Sequence, residues 1–246
     1  MLNLFRNLFA PPRDLILVVI AIWLGTLLSD KRAHRHGIRP SALEKLTFYP
    51  LMAFIIGGRL LYVVENIASF TQSPLDIFSL NLELFDLWGG LIVAVLTAFV
   101  IGYRANLPFW PVLDALTPVF AVTLVGVNLA NFASGQAFGR ETTLPWAIEM
   151  WGAARHPSQL YATLASLLTL GLLWFQKTDS PPGIHFLTFS ALTSGWTLFL
   201  EAFRGDSTLI FGGLRSAQAI AWLVLALSLF LIDNIQSEPM DTRSGR

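Results

Sequence analysis

The sequence predicts an all-α integral membrane protein, a bundle of about seven transmembrane helices with short outer loops. Three observations carry that expectation. Hydrophobic residues make up 54% of the 246 positions and charged residues 13%, and the mean hydropathy of +0.60 lies outside the range of soluble domains. The apolar residues fall in blocks of seventeen to twenty-five, the length a helix needs to cross about 30 Å of hydrocarbon. Basic residues gather between the blocks, the pattern that orients a chain in a bilayer.

In chain order, MLNLFRNLFAPPRD is too short for a cleaved export signal and runs straight into an apolar block, so it is expected to be retained as a short interfacial helix. Spans are predicted near 14–29, 46–65, 87–103, 112–131, 158–176, 185–203 and 214–233. After the first span, Lys31, Arg32, Arg35, Arg39 and Lys45 form the densest basic cluster, which places that loop in the cytoplasm. Seven crossings then put the N-terminus outside and the C-terminus inside. Nine basic residues fall on the inner side and six on the outer. The remaining one, Arg59, lies within the second span, where an ionisable group normally faces a cavity or a partner, or else snorkels to an interface. The outer segments, roughly 66–86, 132–157 and 204–213, are short, and Pro-Pro-Gly at 181–183 reads as a tight turn. No internal repeat or linker divides the chain, so residues 1–246 are expected to form one transmembrane domain.

Sixteen basic and sixteen acidic residues leave no net charge, which argues against a nucleic-acid partner. The absence of cysteine excludes disulfides, thiolate metal sites and a covalent thiol intermediate on the protein. Any thiol chemistry belongs to a substrate.

Chemically unusual residues concentrate at the outer ends of the later spans. Asn128 and Asn131, three apart on one helix face, either hold a polar head group or bond neighbouring helices. Ser134 and Gln136 follow. Gly135 and Gly139 suggest backbone approaching something closely, and Arg140 offers five donors suited to phosphate or carboxylate. Arg155-His156-Pro157-Ser158-Gln159-Leu160-Tyr161 opens the fifth span, with Ser158 a candidate N-cap and His156 either a general base or a hydrogen-bonded spectator. Glu201 and Arg204 are spaced for an ion pair. With Arg155 and Arg215, the arginines at 140 and 204 put four cations on the outer face, either a site for an anionic lipid head group or a solvated rim.

In order along residues 46–225, Gly58-Arg59-Leu60-Leu61-Tyr62, Gly89-Gly90-Leu91, Asp114 with Pro118, Asn131-Phe132, Gly139-Arg140 with Leu144-Pro145-Trp146, Arg155 to Tyr161, and Glu201-Ala-Phe-Arg204 resemble the prolipoprotein diacylglyceryl transferases, seven-span bacterial inner-membrane enzymes. The resemblance implies attack by the thiol of a lipobox cysteine, carried on a preprolipoprotein, on the glyceryl carbon of phosphatidylglycerol. A thioether forms and glycerol 1-phosphate leaves, with no metal or nucleotide cofactor. It further implies that Arg204 is essential, that Arg204 and Arg140 lie near the phosphate, and that Asn131, Gly139 and Gln136 surround the head group. Asn128, Arg59 and Tyr161 join the lipid-binding set, with His156 and Tyr161 supporting at the outer rim.

The chain departs from the family pattern at four polar positions. Trp88 stands where a His usually precedes Gly-Gly-Leu, Asn128 where the signature has Arg, Gln136 where it has an acid, and Ala162 where a Glu follows the Tyr. Two functions therefore stay open. A working transferase predicts a polar cavity open sideways to lipid, whereas a catalytically silent relative, a lipid-binding or structural subunit of a membrane protein complex, predicts that Trp88 fills the site. A transporter fits poorly, since the halves show no repeat and ionisable residues are scarce at mid-membrane.

Overall fold

The computed structural model describes residues 13–71, 77, 84–176, 180–210 and 212–237; the interfacial helix expected at the N-terminus lies outside them. Among the described residues, seven long helices appear at the seven predicted positions: α1 Arg13–Ala33, α2 Pro40–Glu65, α3 Leu87–Arg104, α4 Phe109–Ser134, α5 Ser158–Phe175, α6 Ile184–Leu200 and α7 Ser216–Ser237. The all-α membrane architecture is borne out. Length and composition support crossing for five of them, α2, α3, α4, α5 and α7. The other two expected spans differ in kind. The α1 sequence brings charged residues at both ends, Arg13 and Asp14, then Asp30, Lys31 and Arg32, and α6 has only 17 residues.

Local signals set the helix limits. Pro40, at the first turn where its missing N–H costs nothing, starts α2 six residues before the predicted 46. Gly135, left-handed at φ 72°, ends α4 three residues beyond the predicted 131. The expectation that Ser158 caps α5 is not met: Pro157 occupies the cap position, and the Ser158 hydroxyl instead donates to the Ala137 carbonyl at 2.7 Å.

The central helix is α4, with half of its most apolar stretch buried against 11% in α2, α3 and α7. On one face it meets α1 at glycines: a Cβ on Gly25 would stand 2.8 Å from the Val119 Cα, and Gly126 lies directly on Ala21. The α2–α3 hairpin closes in the same way, since a Cβ on Gly58 would stand 2.8 Å from the Asp86 carbonyl. Ala33, Leu43, Leu46, Ala115, Leu116 and Val119 belong to the buried cluster that joins the hairpin to α1 and α4. At that same end Asp114 accepts the backbone N–H of Gly183 and, at 2.9 Å, that of Phe186. It thereby pins the 181–183 turn and the start of α6, whose first N–H groups have no intrahelical partner.

The opposite end of α4, some 30 Å away at 1.5 Å per residue, carries structure the hydropathy pattern does not announce. Two short antiparallel ribbons pair there, β1 Ile148–Met150 with β2 Ala153–Arg155 and β3 Leu209–Ile210 with β4 Leu214–Arg215. Single bridges join Gly139 to Arg204 and Glu141 to Arg155. Backbone N–H and C=O groups over the end of a bundle need partners, and the connecting segments supply them to one another.

Candidate functional site

Beneath these bridges, α4, α5 and α6 separate around a cavity of about 140 Å³. Asn128 and Asn131 enter from the α4 face turned away from α1, Gln159, Ala162 and Ser166 from α5, and Thr193, Trp196 and Thr197 from α6. Glu201 and Arg204, just past α6, also line it. The spacing of each set, three or four residues apart, is that of one helix face.

Ten of the sixteen lining residues carry polar side chains set among apolar surface, and two polar atoms are left over. Asn128 donates to the Ser166 hydroxyl at 2.9 Å, so it bonds α4 to α5 and also borders the cavity. Of the two alternatives open for it in the sequence, the structure shows the bond between neighbouring helices. Trp196 donates to the Thr169 hydroxyl at 3.1 Å. Gln159, 2% exposed, gives its amide N–H to the Gln136 carbonyl at 2.7 Å but leaves Oε1 without a hydrogen bond. On α6, Thr188, Ser190 and Thr197 return their hydroxyls to the carbonyl four residues back, as hydroxyl side chains in helices commonly do. Thr193 does not, and its Oγ1 is buried and unbonded. A buried acceptor or hydroxyl without a partner costs about 1–3 kcal/mol, so two beside one cavity mark a place suited to a polar ligand.

Arg204 is set by its surroundings at both backbone and side chain. The segments around 139, 156 and 204 run side by side: Arg140 N donates to Phe203 O at 2.8 Å, Gly205 N to Phe138 O at 2.9 Å, and His156 N to Arg140 O at 2.9 Å. Gly139 is required for this approach, because a Cβ there would overlap the backbone carbonyl of His156. The guanidinium gives Nε and Nη2 to Asp206 Oδ1 at 3.0 and 2.8 Å, while Nη1 stands 3.7 Å from Glu201 Oε2. The expected Glu201–Arg204 pair is present, yet Asp206 is the closer partner.

The other sequence candidates lie outside the cavity lining. Arg140 is exposed, and so is Gln136, whose contribution is its backbone carbonyl to Gln159. His156 and Tyr161 form an aromatic group with Phe203: His156 Nδ1 is 3.4 Å from the Tyr161 hydroxyl, which accepts the Trp146 indole N–H at 2.7 Å. Arg59 is buried against the Phe70 and Phe85 rings and donates to the carbonyls of Ile77, at 2.9 Å, and Leu84, which ties it to the α2–α3 connection. Of the four cations expected on the outer face, Arg155 braces the first ribbon through Met150 O, Gly139 O and Glu141. Arg215 is buried at β4, and only Arg204 lines the cavity.

Trp88 is 73% exposed at the start of α3 and does not fill the cavity. The lining residues that sequence alone did not single out, Gln159, Thr193, Trp196 and Thr197, left one usable signal. On α5, Gln159, Ala162, Ser166 and Thr169 repeat small or polar residues at helical spacing inside an apolar block.

The profile of the prolipoprotein diacylglyceryl transferase family matches residues 15–233. Relatives bearing the name phosphatidylglycerol–prolipoprotein diacylglyceryl transferase include one from Finegoldia magna, 28% identical over 218 residues that make up 88% of each chain. One from Clostridioides difficile is 30% identical over 84% of this chain and 83% of its own, and one from Bordetella bronchiseptica is 30% identical over 76% and 74%.

Proposed function

The chain belongs to the prolipoprotein diacylglyceryl transferase family, and on that premise we propose that it transfers the diacylglyceryl group of phosphatidylglycerol to the thiol of a lipobox cysteine on a preprolipoprotein. The observation that carries the proposal is the polar cavity between α4, α5 and α6, with Arg204 in its lining and two buried polar atoms, Gln159 Oε1 and Thr193 Oγ1, left unbonded beside it.

The reaction requires a thiolate, a cation near the departing phosphate and a passage for lipid. The thiolate displaces phosphate at the glyceryl carbon, and glycerol 1-phosphate leaves with the electron pair of the broken C–O bond. Arg204 is assigned to the phosphate, whose developing charge a preorganised cation stabilises; losing one such donor costs on the order of 10²- to 10³-fold. Arg140, exposed beside it in the bridged segments, shares that charge. Asn131, Asn128 and the unbonded Gln159 and Thr193 atoms are assigned to the polar head group, with Gln136, His156 and Tyr161 at the rim. Gly139 holds Arg204 in register, and Arg59 secures the α2–α3 connection. A catalytically silent role called for Trp88 to fill the site, and its exposure favours the working transferase.

The same reading assigns the protein to a bacterial inner membrane as one multi-pass domain, with the cavity end outward, the N-terminus outside and the C-terminus in the cytoplasm. The basic residues 31–45 support this, since they belong to the end remote from the cavity.

Purified protein in vesicles containing phosphatidylglycerol, given a lipobox peptide, is expected to form thioether-linked diacylglyceryl peptide, and Arg204→Ala to abolish it. No product from the wild type while an active relative works in parallel would overturn the function. Full activity in Arg204→Ala would overturn the role of Arg204.

A further inference from the structure

The proposed transfer leaves one question of chemistry: what takes the proton from the thiol. An ordinary thiol has a pKa near 8.5, so only a few per cent is ionised at pH 7, and a base in contact with it accelerates attack by about 10²- to 10⁴-fold. The family position for a base carries Trp88, which is exposed and away from the cavity. His156 does not line the cavity either, and it packs against Tyr161 and Phe203.

The described residues lining the cavity offer amides, hydroxyls, an indole, a guanidinium and apolar groups, together with one carboxylate, that of Glu201. Among them the carboxylate of Glu201 is the one side chain with the chemistry of a general base. Its side chain is 4% exposed, and at 3.7 Å its Oε2 is beyond good hydrogen-bond distance from Arg204. Asp206 holds Arg204 with two closer bonds. The two acids thus divide the work: Asp206 orients the guanidinium, while the carboxylate of Glu201 has no other partner among the described residues and faces the cavity.

We propose that Glu201 is the general base of the transfer, acting on the thiol of the acceptor cysteine. This rests on the transferase function above. The S–H bond breaks and its proton passes to the Glu201 carboxylate. The sulfur lone pair forms the C–S bond to the glyceryl carbon, the C–O bond to phosphate breaks, and its electron pair leaves on phosphate. Glu201 then gives the proton to the departing glycerol 1-phosphate, which restores the carboxylate. Arg204 beside it favours both the thiolate and the leaving phosphate.

The test is the full-length protein in phosphatidylglycerol vesicles with a lipobox peptide, as wild type, Glu201→Gln and Glu201→Asp, between pH 6 and 9.5. Gln keeps an acceptor for Arg204, so KM for the lipid should stay within about threefold. At pH 7 kcat should fall 10²-fold or more, then climb about tenfold per pH unit toward the thiol pKa as hydroxide supplies the missing proton acceptor. Glu201→Asp should retain the wild-type profile at reduced rate. Wild-type kcat in Glu201→Gln, or a loss equal at every pH, overturns the proposal. A wild type that transfers nothing overturns the transferase function itself, a different outcome. Should Glu201→Gln fail to fold, Glu201→Asp with a selenocysteine peptide decides: the selenol is already ionised and needs no base, so Glu201→Asp should slow the thiol peptide but leave the selenol peptide near the wild-type rate, and an equal loss with both peptides overturns the proposal.

Discussion

A single methyl group at Gly139 should separate the roles of backbone and side chain at this site. The residue adopts no left-handed conformation that would demand glycine, so the constraint is space. A Cβ would overlap the His156 carbonyl and Cβ, and backbone cannot swing aside as a flexible side chain can. Relief means prising apart segments joined by three hydrogen bonds of 2.8, 2.9 and 2.9 Å. At roughly 0.5–1.5 kcal/mol net for each, the local cost of Gly139→Ala is about 2–4 kcal/mol. Arg204, the bridge partner of Gly139, would move with it, and a displacement of about 1 Å at a reacting centre costs on the order of 10²-fold in rate. The assay is thermal unfolding in detergent beside diacylglyceryl transfer to a lipobox peptide. Gly102→Ala in α3 is the control: a Cβ there meets nothing within 4 Å, and Ala in a helix interior gains roughly 0.5–1 kcal/mol over Gly. Wild-type stability and transfer in Gly139→Ala, or equal damage from both variants, would refute the reasoning.

Trp88→His should leave transfer within about twofold of wild type, because the side chain it replaces is 73% exposed and remote from the cavity lining; a tenfold rise in kcat would move the thiol to α3. Asp114→Ala should lower the unfolding midpoint through loss of both backbone partners at the start of α6, about 1–3 kcal/mol, yet keep kcat per folded molecule, and an unchanged midpoint would count against the cap. His36, in the turn after α1, has its pKa held below the usual 6.5 mainly by burial, with Asp114 opposing. The unfolded chain therefore binds that proton first, so stability should be complete above about pH 7 and decline as pH falls through 6.5. His36→Gln should flatten that decline between pH 7.5 and 5, and identical slopes would refute the assignment.

Hydropathy made the helices legible because each long apolar block must satisfy its own backbone in lipid. The boundaries that moved did so for local reasons, Pro40 starting α2 early and Gly135 carrying α4 past the expected stop. The ribbons were invisible in the sequence. Each strand has only two or three residues, too few for an alternating pattern, and their neighbourhood is fixed by glycine contacts between segments far apart in the chain. At the site, Asn128, Asn131 and Arg204 stood out because amides and charges are costly in an apolar block. Thr193 could not, since it differs from Thr188 and Thr197 only in where its hydroxyl points. The expectation that Glu201 partners Arg204 followed from helical spacing, but the chain leaves the α-helix at Leu200 and turns through Glu201–Phe203. That turn brings Asp206 nearer.

The four departures from the family pattern now have distinct places. Trp88 is exposed away from the cavity, and Gln136 offers its backbone while its side chain faces outward. Asn128 and Ala162 lie in the cavity wall, where an amide bonded to Ser166 and a methyl group stand in place of a cation and a carboxylate. The wall carries neither charge at these two positions, and a cavity of about 140 Å³ stands beside them. What persists beside it is one cation, Arg204, facing two carboxylates, Asp206 at 2.8 Å and Glu201 at 3.7 Å. Under the proposed function, a lipid phosphate meets a guanidinium whose Nε and Nη2 are already held by Asp206 Oδ1, and Nη1, 3.7 Å from Glu201 Oε2, is the donor left for it. The two bonds to Asp206 fix the plane of the guanidinium, so that donor is already aligned. Arg140, exposed and tied through its own N–H to Phe203 O beside Arg204, is then the cation that carries the surplus charge of the bound lipid.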